Sequence, residues 1–412
     1  MLSIYHKTVL KNGLTILTQP VDSVRSVALG IFIETGVNDE NAANNGIAHF
    51  IEHMSFKATQ SRSAYDIVED IESHGGHVNA YTSREMTAYY ARILDSELYP
   101  ALEVLSDIVL HSTYPRREIE REKTVVAEEI RDSLDTPQDV ANDAFAAQMF
   151  PAHPYGYPIL GSLETVKSFN STSIREFVSR FYVPGRIIVA AAGAVEHAGF
   201  VEKVGALMGG VDRIISPHHI PPLTEAGEKE QVVERDIAQC HYIIGRRSLG
   251  YSDERRHSYM ILNAVLSAGM SSRLFHHIRE RYGFAYTIFS FIDAFKDTGL
   301  FGVYTATDRK YVKKLHDLIW IELNKLKESD ISDTELNKVK AQAKGSMVMG
   351  LESMHNRLER MVQQHIRYGE LISIDESLKR IEAVSAEDIR RLANELFDES
   401  AFRSLLLKPK GK

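Results

Sequence analysis

The chain has 412 residues, 44% hydrophobic and 25% charged, which is the composition of a folded globular protein and not of a disordered or fibrous one. A formal net charge of −8, with no dense Lys/Arg stripe outside the short KPKGK stretch, gives no reason to expect nucleic acid, and no apolar run approaches the length of a membrane span. The single cysteine, Cys240, excludes an internal disulfide framework, suits a reducing cytoplasm, and reads as core within the apolar run AQCHYIIG.

The opening MLSIYHKTVLKNGLTIL alternates like a strand and lacks both a signal-peptide core and a transit-peptide pattern, so a cytoplasmic location is expected. Two strand patterns come first, over 7–18 through Asn12-Gly13 and over 26–35. The polar turn NDENAANN then offers Asn44 or Asn45 as the cap of a helix that begins near residue 47. A helix near 63–74 ends at Gly75-Gly76, and HVNAYTSREMTAYYARIL follows as two strands turning around Ser83-Arg84. Helices are expected at about 97–111, 115–134 and on to 149; HPYGYPILG is a loop by its prolines and glycines. A helix at 172–182, the strand RIIVAAAGAV and one more helix close the half. Residues 216–228, with three prolines in ISPHHIPPLTEAGE, form the expected linker.

The second half reads like the first. Strands at 230–236 and 239–248 precede helices at 254–267 and 271–281, then RYGFAYTIFSFIDAF and TGLFGVYTATD pair as strands. Helices follow at 309–327, 333–350 and 353–368. SAEDIRRLANELF with FRSLLLK mirrors STSIREFVSRFY with RIIVAAAG, and Glu118 and Glu335 are 217 apart. A repeat this long means duplicated domains, 1–215 and 229–412, each an α+β unit with helices on a mainly antiparallel sheet.

Chemistry concentrates in HFIEHMSFKAT, which sets out His49, Glu52 and His53 as H-x-x-E-H. Residues i and i+4 of a helix lie one above the other, so the two imidazoles can bind one metal ion, with Glu52 beside them as a general base. A catalytic zinc takes three protein ligands and keeps one open position. The acidic helix RREIEREKTVVAEEIRDSLD is expected to supply the third, because Glu122 and Glu129 lie seven apart on one face and Glu128 is adjacent. At the 217 offset His49, Glu52 and His53 become Leu266, Gly269 and Met270 in a retained helix, and Glu122 and Glu129 become Val339 and Ser346. Chemistry is therefore expected in the first half alone.

H-x-x-E-H followed 76 residues after His53 by a helical glutamate resembles the pitrilysin or insulinase superfamily of metallopeptidases. The two-domain length is similar to the processing-peptidase branch and its bacterial relatives. The resemblance covers nearly the whole chain. It implies one Zn²⁺ per chain held by His49, His53 and Glu129, with Glu52 as the catalytic base and Glu122 supporting the ligands. GGHVNAYTSREMTAYY is similar to the strand on whose edge an extended substrate adds, which makes Asn79 and Ala80 substrate contacts, although Asn79 also suits a turn cap. MSSRLFHHIRERYGFAY resembles the family's substrate-binding segment. There Arg279 and Tyr286 would grip the substrate carbonyl, against the plainer readings of a solvated helix face and a core aromatic. Asp139 and Asp143 stand where processing peptidases recognise an arginine near the cut. Two departures stand out: Tyr157 replaces a frequent arginine, and SAGM at 267–270 is a poor remnant of the non-catalytic subunit's glycine-rich loop.

The expected function is a zinc endopeptidase acting on extended peptides or unstructured segments, paired as a homodimer or with an inactive homologue, and using no nucleic acid or membrane. The competing expectation is a catalytically silent subunit that binds peptides.

Overall fold

A computed structural model describes residues 5–212 and 220–411. The 216–219 part of the expected linker lies outside the described residues. The chain is α+β and forms two compact units, one of 1–132, 152–223 and 351–371, the other of 133–151, 224–350 and 372–412.

The first unit carries β1 (His6–Val9), β2 (Thr15–Pro20), β3 (Ser26–Ile33), α1 (Ile47–Ser55), α2 (Ala64–Glu72), β4 (His77–Thr82), β5 (Thr87–Leu94) and α3 (Leu98–Leu110). After them come most of α4 (Arg116–Asp135), then, beyond α5 (Pro137–Met149), α6 (Leu163–Ser168), α7 (Ser171–Phe181), β6 (Ile187–Gly193) and α8 (His197–Met208). Its sheet runs β1-β2-β6-β3-β5-β4, antiparallel except for β2 against β6. The edge strand β4 pairs only with β5 among the described residues, Asn79 opposite Tyr90 and Ala80 opposite Tyr89.

The second unit carries α5, β7 (Glu230–Arg235), β8 (Cys240–Ser248), α9 (Arg256–Ser267), β9 (Ala285–Ala294), β10 (Gly299–Thr307), α10 (Val312–Glu328) and α11 (Asp333–Gly350). Beyond α12 (Met354–Tyr368), which belongs to the first unit, come α13 (Ile374–Ala383), α14 (Ala386–Leu396) and β11 (Arg403–Pro409). The sheet order β7-β11-β8-β10-β9, with β11 parallel to β7, repeats the order β2-β6-β3-β5-β4 of the first unit. Cys240 is buried at the start of β8.

Both faces of the first sheet are covered, which explains why SVALGIFI is a nearly continuous apolar run instead of a strict alternation. Val27, Leu29, Ile31 and Ile33 face a core that includes α1, α3 and α7. Ala28, Phe32, Ala88, Ile188, Ala190 and Ala192 face Leu358, Met361 and Val362 of α12. Helix α5 packs on β8 and β11 of the second sheet.

Two expectations need correction. Neither Asn44 nor Asn45 caps α1 with its side chain. The cap is Gly46 at φ 91°, and Asn45 instead donates to Glu40 and to the Pro158 carbonyl. A Cβ on Gly46 would meet the Leu160 oxygen at 2.6 Å, so the close passage of the 158–161 loop requires glycine there. Secondly, the helix expected to persist at the 217 offset stops early. α9 ends at Ser267, Gly269 is left-handed at φ 79°, and Met270 is exposed, so those two positions stand outside any helix. Helix α11 does align with α4, carrying Val339 and Ser346 where α4 has its glutamates.

Candidate metal centre

Helix α1 divides its residues cleanly. Ile47, Phe50, Ile51 and Met54, at the i, i+3, i+4, i+7 positions, enter the core, and Phe50 lies 5.4 Å from the Phe169 ring. The opposite side presents His49, Glu52 and His53, and the two imidazole centroids are 4.6 Å apart. Helix α4 faces them in the same way. Val126 and Ile130 are buried with Glu122, whereas Val125 is half exposed.

His49, His53 and Glu129 come together. Glu129 Oε2 lies 3.5 Å from His53 Nε2 and 3.7 Å from His49 Nε2, and one ligand atom from each residue falls within 4.8 Å of the others. These separations exceed hydrogen-bond reach. Ligands about 2.0–2.2 Å from a tetrahedral zinc would stand roughly 3.3–3.5 Å apart, so the spacing suits a shared ion better than direct contact. The Glu129 Oε2 atom is buried without a hydrogen-bond partner among the described residues, although its side chain is 45% exposed overall. A metal would satisfy it, and the donor set fits zinc. Glu128 is drawn off to an ion pair with Arg131 on the exposed side of the helix.

Burial, reinforced by the neighbouring His53, lowers His49 to about 3, so that it stays a neutral imidazole able to ligate. Burial also acts to lower His53. It is outweighed by the hydrogen bond to Glu122 and the charges of Glu129, Glu122 and Glu52, and His53 ends above its ordinary range. Its Nδ1 lies 2.8 Å from Glu122 Oε1, which leaves Nε2 directed at Glu129. The other oxygen of Glu122 takes Lys57 Nζ at 2.7 Å. Burial acts to raise Glu122, but these two partners bring it below the usual carboxylate range.

Glu52 sits beside the histidines, and Thr82 Oγ1 of β4 donates to its Oε2 at 2.5 Å. Burial raises Glu52 despite that bond. Sequence reading did not single out Thr82 or Lys57. The i, i+4 spacing from His53 could have drawn attention to Lys57, but only the contact between α1 and β4 reveals Thr82.

The remaining expected residues are distributed over both units. Asn79 is exposed on β4 and its Oδ1 accepts the Ala80 N–H, while Ala80 is partly buried against the first core. In the second unit, Asp139 is exposed in the first turn of α5 and Asp143 lies one turn on. Arg279 has its guanidinium 4.5 Å from the Phe275 ring and 4.6 Å from the Tyr286 ring. Tyr286 is 78% exposed, so it is not a core aromatic.

Comparison with known proteins finds relatives along nearly the whole chain. The insulinase (peptidase family M16) model matches residues 15–163, and the peptidase M16 inactive-domain model matches 168–343. An uncharacterized zinc protease of Streptomyces coelicolor is 36% identical over 416 residues, 98% of this chain and 90% of the relative. One of Bacillus subtilis is 36% identical over 97% of both chains. A Helicobacter pylori protease structure shares the fold at 23% identity and a TM-score of 0.90, covering 99% of this chain and 100% of that one. A Pseudomonas fluorescens peptidase M16 inactive-domain structure does so at 16% identity and a TM-score of 0.91, with 98% of each chain covered. The chain belongs to the M16 (insulinase/pitrilysin) family of peptidases.

Proposed function

We propose that this chain is a zinc-dependent endopeptidase that cleaves peptides or unstructured segments bound in extended form. The observation that carries the reading is the convergence of His49, His53 and Glu129 donor atoms beside a carboxylate, Glu52, held by a strand-edge threonine. The relatives' description as zinc proteases supports the metal. In this reading one zinc is held by His49, His53 and Glu129. When bound, it supplies Lewis acidity for the scissile carbonyl and acidifies water at its open position.

The residues then divide the work. Thr82 occupies Oε2 of Glu52, leaving Oε1 to take a proton from the attacking water and pass it to the leaving amine nitrogen. Burial holds Glu52 above its ordinary range, which suits a group that must both accept and return a proton. Glu122 fixes His53 through Nδ1 so that Nε2 stays turned to the metal position. A peptide adding to the open side of β4 would run past Asn79 and Ala80 toward Thr82 and Glu52. Folded proteins offer no such free strand and would be poor substrates.

Three further elements belong to the proposal. Asp139 and Asp143, one helical turn apart, favour a basic residue near the cut. The chain pairs with a second copy, whose stacked Arg279 and exposed Tyr286 complete the substrate site. The setting is the cytoplasm. Among the described residues no helix is long and apolar enough to cross a membrane.

The test is purified protein on a fluorogenic peptide containing arginine, with and without chelator, beside Glu52→Gln. Activity that is lost with chelator, restored by zinc and absent in the variant is the expected result. A zinc-loaded wild type that binds but never cleaves peptides would favour a catalytically silent, peptide-binding subunit. Gel filtration at the 46.4 kDa monomer mass with full activity would end the dimer proposal.

A further inference from the structure

The mechanism above leaves unused a buried acid outside the H-x-x-E-H stretch. Glu40 is 5% exposed, and its carboxylate is fully engaged. Oε2 accepts the Gly46 N–H and the Asn45 side-chain amide, each at 2.8 Å, and Oε1 accepts the Ala48 N–H at 2.8 Å. Gly46 and Ala48 are the cap and second residue of α1, and the next residue is His49. The first N–H groups of a helix have no partner within it, and Gly46 has no side chain to supply one. Glu40 therefore performs from six residues away what a serine or aspartate usually performs at the cap itself.

The same carboxylate ties in a second segment. Asn45 donates to the Pro158 carbonyl at 2.9 Å as well as to Glu40. A Cβ on Gly161 would meet the Asn45 oxygen at 2.4 Å, just as one on Gly46 would meet the Leu160 oxygen at 2.6 Å. On the other side, the neighbouring Asp39 accepts two N–H groups of Arg186, at 2.9 and 3.0 Å, just before β6. The N-terminus of α1 is thus held by Glu40 directly, with Asn45 joining Glu40 to the 158–161 segment and the adjacent Asp39 anchored to Arg186.

We propose that Glu40 is a positioning residue: its carboxylate sets the axial position and rotation of α1, and so the placement of His49 and His53 relative to Glu129. This rests on the zinc-peptidase reading. The apolar side of α1 packs on the core and would tolerate a small slide or rotation; the hydrogen bonds at its N-terminus are directional and would not.

The test uses the full-length protein with Glu40→Gln, which keeps the size of the side chain. Its NH₂ group cannot accept, so at least one of the two backbone N–H groups loses its partner. Zinc affinity by competition with a chromophoric chelator should fall about tenfold, the lower end of the loss seen when groups supporting metal ligands are altered. kcat on the peptide should fall with KM little changed, and amide exchange should accelerate at residues 46–48 without doing so across the sheet. Asn45→Ala should shift zinc affinity the same way by less. Asn12→Ala, which removes bonds to the Met208 and Val211 carbonyls far along the chain, serves as the control for general destabilisation and should leave zinc affinity unchanged. Zinc binding by E40Q equal to wild type, or a matching loss in N12A, would overturn the inference while the zinc reading stands. A wild type with no zinc affinity would overturn both.

Discussion

Glu122→Gln tests the support of the metal centre at its most buried point. Glu122 is 4% exposed, with His53 Nδ1 at 2.8 Å on one oxygen and Lys57 Nζ at 2.7 Å on the other. Glutamine can satisfy only one of these donors, because its NH₂ would confront the other. The lost charge-assisted bond contributes about 1.5–3 kcal/mol, and a half-buried Lys57 without its counter-charge adds to the deficit. Partial relaxation of Lys57 toward solvent would return some of this, so a net loss of about 2 kcal/mol in the stability of the zinc-free form is expected. At the metal, His53 loses its fixed orientation and the carboxylate that strengthens it as a ligand, which corresponds to a 10–100-fold weaker zinc complex, about 1.4–2.7 kcal/mol. Chelator competition measures the second quantity and denaturant unfolding of the zinc-free protein the first. Stability that falls with zinc affinity unchanged within about twofold would show that Glu122 only fills the core, refuting the reasoning for its role.

Replacing Thr82 by valine keeps the branched shape but removes the hydrogen bond to Glu52. We expect kcat to fall about tenfold at unchanged zinc affinity, the equivalent of one bond of about 1.4 kcal/mol, with Thr82→Ser restoring most of the rate. Stability should depend on pH through Glu40, which burial raises from 4.5 to about 7 against the bonds from Ala48, Gly46 and Asn45. The folded form then holds the proton more tightly than the unfolded one. The contribution is fully present below about 4.5 and is lost as pH rises through about 7, in all about 3 kcal/mol. Unfolding midpoints of the zinc-free protein between pH 5 and 8 should show this slope, and E40Q should flatten it; equal slopes would refute it. Phe50, fully buried against Phe169 on the core side of α1, should cost about 3–5 kcal/mol when cut to alanine, read as a lower melting temperature. A loss under about 1 kcal/mol would mean that α1 is not held by its apolar face.

Much of this protein is determined by local sequence. A helix of period 3.6 that buries Ile47, Phe50, Ile51 and Met54 must carry His49, Glu52 and His53 on its other side, and seven residues between Glu122 and Glu129 put both on one face. The hairpin of β4 and β5 follows from its turn residues in the same way, and the duplication from comparing the chain with itself at the 217-residue offset. Tertiary structure decided whatever depends on residues far apart. The cap of α1 is supplied by Glu40 and not by Asn44 or Asn45, since the Asn45 side chain is turned to the Pro158 carbonyl, 113 residues on, and to Glu40 itself. The offset that keeps α4 and α11 in register fails at α9, because Gly269 turns left-handed just past its end. Helix α12 packs on the first sheet and α5 on the second, which the amphipathic pattern of each helix leaves open, since an apolar stripe specifies that a face is buried but not against which sheet. Thr82 meets Glu52 only because β4 forms the edge of the sheet beside α1, and that contact joins two residues 30 apart through side-chain distances that no spacing rule encodes.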